Sequence, residues 1–260
     1  MVMEGLKNLE LLLQNSQKLS IIVCARNEEE TIGPLLTNLY ALFPKEIIVI
    51  ENGSTDKTKE ICQQRHVKCI SYCFTLGHDV GRAIGAQKAT GEVLLFLDAD
   101  IAFQAEELAP FITACYSGAD IALNNLNLFY TRSSMIDYVS MAKAFLNRAL
   151  LLPHLGYSSL TAIPHAMKKE AAEAIGFEQL SVPPKAQAIA ALEGLKIEHG
   201  GSVNVFKTNR RRDVHFGEVN EVENMILGDH LEALEYVQSI RGSRSLLTDT
   251  IRKRSFINTL

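Results

Sequence analysis

Asp98 and Asp100 stand one residue apart at the end of the apolar run Val93-Leu94-Leu95-Phe96-Leu97. Carboxylates are hard oxygen donors of the kind that suit Mg²⁺ or Mn²⁺, and such ions usually bring a phosphate with them. A run this apolar fits a strand buried on both faces, and in extended backbone residues two apart project to the same side. The two carboxylates are therefore expected to converge at a strand's carboxyl end, where open α/β sheets take their ligands. The simpler alternative is a helix start, with Asp100 capping a helix that Glu106-Glu107-Leu108 continues.

The segments that must position these aspartates alternate between strand and helix patterns. After a leucine-bearing lead-in helix over residues 4–15, residues 19–24 read as a strand. Residues 29–42 follow with helical spacing at Ile32, Leu35, Leu36, Leu39 and Leu42. Residues 45–50 form a second strand, and a turn with Ser54 or Thr55 as N-cap leads to a helix through Cys62. A third strand over 67–72, a helix over 80–89 and a fourth strand over 92–97 complete a nucleotide-binding half, 19–115. Strands separated by helices predict a mostly parallel central sheet built from right-handed crossovers. Residues 116–240 read as a less regular second half of the same domain: 121–129 extended, 134–152 helical, prolines through 153–184, one or two strands over 196–206, and a long helix over 221–240. That last helix carries Val222, Ile226, Leu234 and Val237 on one face. Its exposed face could support a homodimer, though packing against its own domain is the simpler account. A basic tail, 241–260, ends the chain.

Composition narrows the classes. A net charge of −4, from 26 basic and 30 acidic residues, argues against a broad footprint for nucleic acid. Five cysteines, an odd number with no Cys-x-x-Cys pair, read as reduced thiols in a cytoplasmic protein. No apolar run approaches the roughly 18 residues a membrane span needs, and Met1-Val2-Met3-Glu4 does not open like a signal peptide, so the chain is expected not to cross a bilayer.

Four segments in order carry a resemblance: Val23-Cys24-Ala25-Arg26-Asn27-Glu28-Glu29, Val49-Ile50-Glu51-Asn52-Gly53-Ser54-Thr55-Asp56, Gly81-Arg82-Ala83-Ile84-Gly85, and Gly91 through Asp100. Together they resemble the family 2 glycosyltransferases, well over residues 19–103 and loosely beyond. The resemblance implies a glycosyltransferase-A fold, a nucleotide-diphosphate sugar as donor and Mn²⁺ or Mg²⁺ as cofactor. It places Ala25 and Arg26 against the base, Glu28 at a ribose hydroxyl, Glu51 or Asn52 at the base edge, and Arg82 near the base and diphosphate. Asn52 stands where the family commonly has aspartate; its amide can still accept from a base N–H, and a UDP-sugar is the favoured donor over a guanine nucleotide. Gly53 and Gly85 are more simply turn and close-packing glycines.

Asp100, with Asp98 alongside, is the expected metal pair and the centre of catalysis, stabilising the departing nucleoside diphosphate. His215, after Arg210-Arg211-Arg212-Asp213-Val214, lies where the fold often supplies a further ligand, and the basic run 207–212 could clamp a diphosphate or an anionic acceptor. A surface role is the plain alternative for both. Inverting members carry an acidic base, often a Glu-Asp pair, after the aspartates, and the chain has no such pair at 177–187. Glu178 and His165 are the base candidates that remain. The alternatives are a retaining mechanism or an acceptor phosphate that is already ionised, as in a lipid phosphate or a phosphorylated small acid. Residues 153–166 and Arg252-Lys253-Arg254 could contact such an acceptor, or touch the inner face of a membrane peripherally. Two other functions compete: a non-catalytic nucleotide-sugar-binding protein, motivated by the missing acidic pair, and a sugar nucleotidyltransferase. The second would carry a glycine-rich loop after its first strand, and Cys24-Ala25-Arg26-Asn27-Glu28 has no glycine.

Overall fold

A computed structural model describes residues 2–130, 136–206 and 220–254. Strands β1 (Leu19–Ala25), β2 (Glu46–Asn52), β3 (Lys68–Tyr72) and β4 (Val93–Asp98) alternate with helices α2 (Ile32–Leu39), α3 (Thr58–Gln63) and α4 (Val80–Lys88) after the lead-in α1 (Val2–Gln14). Helix α5 (Ala105–Tyr116), β5 (Ile121–Asn124), α6 (Tyr138–Ala149), β6 (His165–Lys168), α7 (Lys169–Ile175), α8 (Pro183–Leu192), β7 (Ile197–Gly201) and α9 (Glu221–Arg241) follow. The described strands make one sheet in the order β3-β2-β1-β4-β6-β5-β7. All neighbours run parallel except β6, which is antiparallel to both β4 and β5. The expected mostly parallel sheet flanked by helices is what the chain forms.

Both faces of the sheet are covered, which is why its inner strands read as unbroken apolar runs. Ile21 and Val23 of β1 and Leu95 and Leu97 of β4 pack on one side with Leu35 and Leu36 of α2 and Phe111 of α5. Ile22, Leu94 and Phe96 face the other side, against Ala86 of α4, Ala172 of α7 and Ala186 of α8. Each buried Leu, Ile or Phe contributes about 1.5–3 kcal/mol, so this double layer supplies most of the folding drive. Gly85 lets α4 lie close on β1, because a Cβ there would come within 2.3 Å of Ile22 Cγ2.

The strand order reverses between β1 and β4: the chain builds outward through β2 and β3, then crosses back to the other side of β1. That switch point places Cys24 of β1 opposite Asp98 of β4. Because β6 runs the other way, its first residue, His165, pairs with Phe96 near the carboxyl end of β4. The segment leading into β6, and not the one leaving it, therefore reaches the same edge of the sheet.

Several local expectations are revised. The helix after β2 starts at Thr58 rather than at Ser54 or Thr55, whose backbone N–H groups bond to Glu51 and Asn27 instead. Asp100 is not the cap of α5, which opens with a capping box between Gln104 and Glu107. Residues 126–129 form a 3-10 turn, so the strand stops at Asn124. The proline-rich stretch is more regular than expected, holding β6, α7 and α8. Pro183 and Pro184 open α8, where a preset φ and a missing N–H fit the first helical turn. One strand, β7, occupies the start of 196–206. Helix α9 buries His230, Ala233 and Val237, and packs with Leu146 and Leu150 at the end of α6 and Ala188 of α8. In the tail, Arg252 and Arg254 both pair with Asp249.

Candidate active site

Two loops at the carboxyl ends of β1 and β2 are stitched together. Asn27, in a left-handed conformation (φ 57°), donates its N–H to Ser54 Oγ at 3.1 Å, and its Oδ1 accepts the Thr55 N–H at 2.8 Å. Glu28 donates its N–H to Thr58 Oγ1 at 2.7 Å. Glu29 donates to Asp56 at 3.1 Å and accepts from the Lys57 N–H at 3.0 Å. Asparagine tolerates the left-handed region better than other residues with a Cβ, and its side chain replaces missing backbone bonds. Between the loops lies a polar cleft of about 120 Å³ lined by Asn27, Glu28, Glu29, Glu30 and Asp56. Arg26 is exposed beside it and Ala25 is buried.

Glu51 and Asn52 play unequal parts. Glu51 is 1% exposed, and its carboxylate accepts the Ser54 N–H and the Ser71 hydroxyl. Burial works to raise its pKa, yet the Ser71 and Ser54 bonds outweigh that and hold the carboxyl below its ordinary range. Asn52 is half-buried; its amide donates to the Gly77 carbonyl at 3.1 Å and accepts from the Leu76 N–H. Glu51 thus faces its own turn, whereas Asn52 braces residues 76–77. Gly53 (φ 68°) allows both, since a Cβ there would press on the Phe74 backbone at 2.8 Å.

Arg82, on the first turn of α4 and 6% exposed, links the first half of the chain to the second. Its guanidinium bonds to Asp79 at 2.9 Å, to Asp98 at 3.3 Å and to the Leu160 carbonyl at 3.3 Å. Burial alone would lower its pKa, but Asp79 and Asp98 raise it above the usual value, so it stays charged. Asp98 ends β4 with its side chain 37% exposed. Ala99 is buried and donates its N–H to the Cys24 carbonyl at 2.9 Å, and Asp100 is exposed in the turn beyond. The extended backbone from which convergence was expected stops at Asp98, so the strand's two-residue repeat does not carry to Asp100.

Among the described residues no group of three His, Cys, Asp or Glu side chains gathers in a form that could hold a metal ion. His215 and the basic run 207–212 lie outside the described residues. The donor set still fits Mg²⁺ or Mn²⁺, which are commonly held by one or two carboxylates together with substrate phosphates and water. Asp98 and Asp100 supply such oxygens at an accessible edge.

The base candidates are placed very differently. His165 is 3% exposed, stacked on Phe96 with ring centroids 4.9 Å apart, its Nδ1 3.0 Å from the Ala162 carbonyl. Burial, aided by the Arg82 charge, depresses it to about 3. A neutral ring so enclosed is a weak proton acceptor. It borders a cavity of about 10 Å³ shared with Arg82, Leu160, Leu180 and Pro183, room for about one water. Glu178 is exposed in a 3-10 turn, Phe177–Ser181.

Sequence reasoning did not single out a buried polar chain that reaches Arg82 from the second half. Asn147 of α6 donates to the Gly156 and Ser158 carbonyls at 2.8 and 2.9 Å and accepts from Gln187 of α8. Gln187 Oε1 accepts the Leu160 N–H at 2.9 Å, and the Leu160 carbonyl is the one Arg82 holds. Asp79 was missed as well. An Asn and a Gln inside otherwise apolar helical stripes were the only signal, and neither names its partner.

This chain belongs to glycosyl transferase family 2, whose model matches residues 20–151. It is 24% identical over 164 residues to the undecaprenyl-phosphate 4-deoxy-4-formamido-L-arabinose transferase of Pectobacterium carotovorum, covering 52% of this chain and 50% of that one. It is 29% identical over 115 residues to the dolichol-phosphate mannosyltransferase of Pyrococcus furiosus, covering 42% and 33%. The chain thus spans about half the length of the first relative and a third of the second. Its fold is similar to that of glucosyl-3-phosphoglycerate synthase from Mycobacterium tuberculosis, solved with Mn²⁺, UDP and phosphoglyceric acid. The TM-score is 0.61 at 16% identity, over 95% of this chain and 84% of that one. Mannosyl-3-phosphoglycerate synthase from Rubrobacter xylanophilus is similar to the same degree, with a TM-score of 0.61 at 14% identity over 96% and 82%. Among the described residues no helix is long and apolar enough to cross a membrane.

Proposed function

We propose that the protein is a metal-dependent glycosyltransferase that moves a sugar from a nucleotide-diphosphate sugar, most simply a UDP-sugar, to an acceptor bearing an ionised phosphate. The observation that carries this reading is Asp98, half-exposed at the β1/β4 switch point and fixed by the buried Arg82. Ligands of open α/β sheets bind at that place.

In this reading Ala25, Arg26, Glu28 and Asn52 border the nucleoside. Glu51 acts on it indirectly, by shaping the turn at 53–54. Arg82 has its fork filled by Asp79, Asp98 and the Leu160 carbonyl, so it orients Asp98 and lends its charge to the diphosphate. Asp98 and Asp100 would hold the divalent cation. That cation, when bound, offsets negative charge on the departing nucleoside diphosphate.

The placement of the base candidates supports an acceptor that needs no deprotonation. His165 is enclosed and depressed to about 3, and Glu178 lies out on the surface. An acceptor phosphate is ionised at neutral pH, unlike a sugar hydroxyl. The relatives named for undecaprenyl and dolichol phosphate support the same acceptor chemistry.

Thermal unfolding with UDP and with GDP, each with and without Mn²⁺, tests the donor side. UDP with Mn²⁺ should raise the midpoint most. An unchanged midpoint with every nucleotide removes the donor assignment. Sugar release from UDP-glucose above background then separates a transferase from a binding protein.

A further inference from the structure

Helix α6 carries a second polar side chain on the face that holds Asn147. Lys143 precedes Asn147 by four residues, one turn along the helix, and is 8% exposed. Among the described residues no hydrogen bond or ion pair engages its ammonium. Asp137 attracts it only at longer range, while burial and the Arg82 charge both work against its protonated form and push it down to about 8. Across the packed contact with α9 stands His230, 2% exposed. Its Nδ1 lies 2.7 Å from the Ile226 carbonyl and must donate to it, which leaves Nε2 with a bare lone pair and no partner among the described residues. Leu146, three residues after Lys143, and Ala233, three residues after His230, lie in the one apolar cluster that joins α6 to α9, which puts the two groups in one neighbourhood, and the Lys143 charge helps depress His230.

A buried ammonium without a close counter-ion and a buried ring nitrogen without a donor are both costly, and a native fold rarely keeps both on neighbouring helices without use. One chemical group satisfies both. A phosphomonoester offers anionic oxygens to the ammonium, and in its singly protonated form a P–O–H to the ring nitrogen. Asn147, one turn along from Lys143, begins the hydrogen-bonded chain through Gln187 and Leu160 to Arg82 and Asp98. Both groups stand on helices of the second half, and among the described residues none of the stitched donor loops bonds to either.

We propose that Lys143 and His230 form an anion subsite between α6 and α9 that takes the phosphomonoester of the acceptor. The proposal rests on the transferase reading above and names the residues that would receive its second substrate. The phosphate could come from a small phosphorylated acid or from a lipid phosphate; the chemistry at Lys143 is the same.

The test is thermal unfolding of the full chain, wild type against Lys143→Met and Lys143→Gln, titrated with inorganic phosphate, phosphoglyceric acid or a short polyprenyl monophosphate in micelles. Each titration is run with and without UDP and Mn²⁺. Phosphate should raise the wild-type midpoint, and both variants should weaken its apparent affinity at least tenfold. In anion-free buffer Lys143→Met should unfold no earlier than wild type, because it removes an uncompensated charge. Equal phosphate affinity in all three proteins, an earlier anion-free unfolding of both variants, or failure of both to fold overturns the proposal. The organic phosphate that binds more tightly than inorganic phosphate identifies the source; if neither does, the acceptor assignment falls. Loss of the UDP–Mn²⁺ response in all three proteins would count against the donor reading alone, since the phosphate comparison is read separately.

Discussion

The loops at the ends of β1 and β2 and the chain of side chains between α6 and Arg82 are both hydrogen-bonded walls of one site, yet they are built in opposite ways. The first wall joins residues 27 to 30 positions apart, through bonds that lie mostly at the exposed surface. The second joins residues 40, 27 and 78 positions apart, through bonds buried in the interior. Exposed bonds can be exchanged for water, whereas a buried donor or acceptor that loses its partner keeps its full desolvation cost. The first wall should therefore tolerate substitution better than the second, although it carries the more recognisable sequence.

The contrast can be broken most forcefully at Arg82, where the second wall ends against Asp98. Arg82→Met leaves Asp79 and Asp98 without a counter-ion and should cost about 3–5 kcal/mol in urea unfolding. A loss below 1 kcal/mol would mean the pair is not structural. On the proposed reading Asp100→Ala should strike the chemistry: UDP release from a UDP-sugar should fall about 100-fold, equivalent to about 2.7 kcal/mol. Gln187→Leu strips partners from Asn147 Oδ1 and the Leu160 N–H and should cost about 2 kcal/mol. Asn27→Gly, which removes the exposed Oδ1 bond but accepts φ 57° freely, should cost under about 1 kcal/mol by the same measurement. If the two losses come out equal, the contrast between the walls fails.

An effect of similar size lies in pH. His165 titrates near 6.5 when unfolded and is held at about 3 by burial, so below pH 6.5 the unfolded chain binds a proton that the native chain refuses. Stability is full above 6.5 and drains as pH falls toward 3. From pH 7 to 5.5 this one ring should account for a loss of about 1 kcal/mol, and His165→Phe, which keeps a ring against Phe96, should remove that share.

How much was readable follows from the same contrast. The doubly buried strands β1, β2 and β4 announce themselves as apolar runs, and the residues at their ends sit in short contiguous segments, so the mostly parallel sheet and the resemblance were legible. The four residues of β6, His-Ala-Met-Lys, have neither alternation nor β-branched side chains, and nothing in them marks a strand. Pro183 and Pro184 look like helix breakers until their place in the first turn of α8 is known. Lys143 reads as an ordinary helical lysine, because its burial depends on α9, nearly 90 residues away by the numbering. Asn147 and Gln187 carry no local sign that they meet.

The part of the chain that matches its family ends at residue 151, before β6 begins at His165. Without β6, β4 would be a bare sheet margin, a hydrogen-bonding template open to a neighbouring molecule, and Arg82 would lose the Leu160 carbonyl. The stretch that matches the family is therefore not a separable module: it becomes a well-behaved protein only once the later, less familiar sequence has closed its flank.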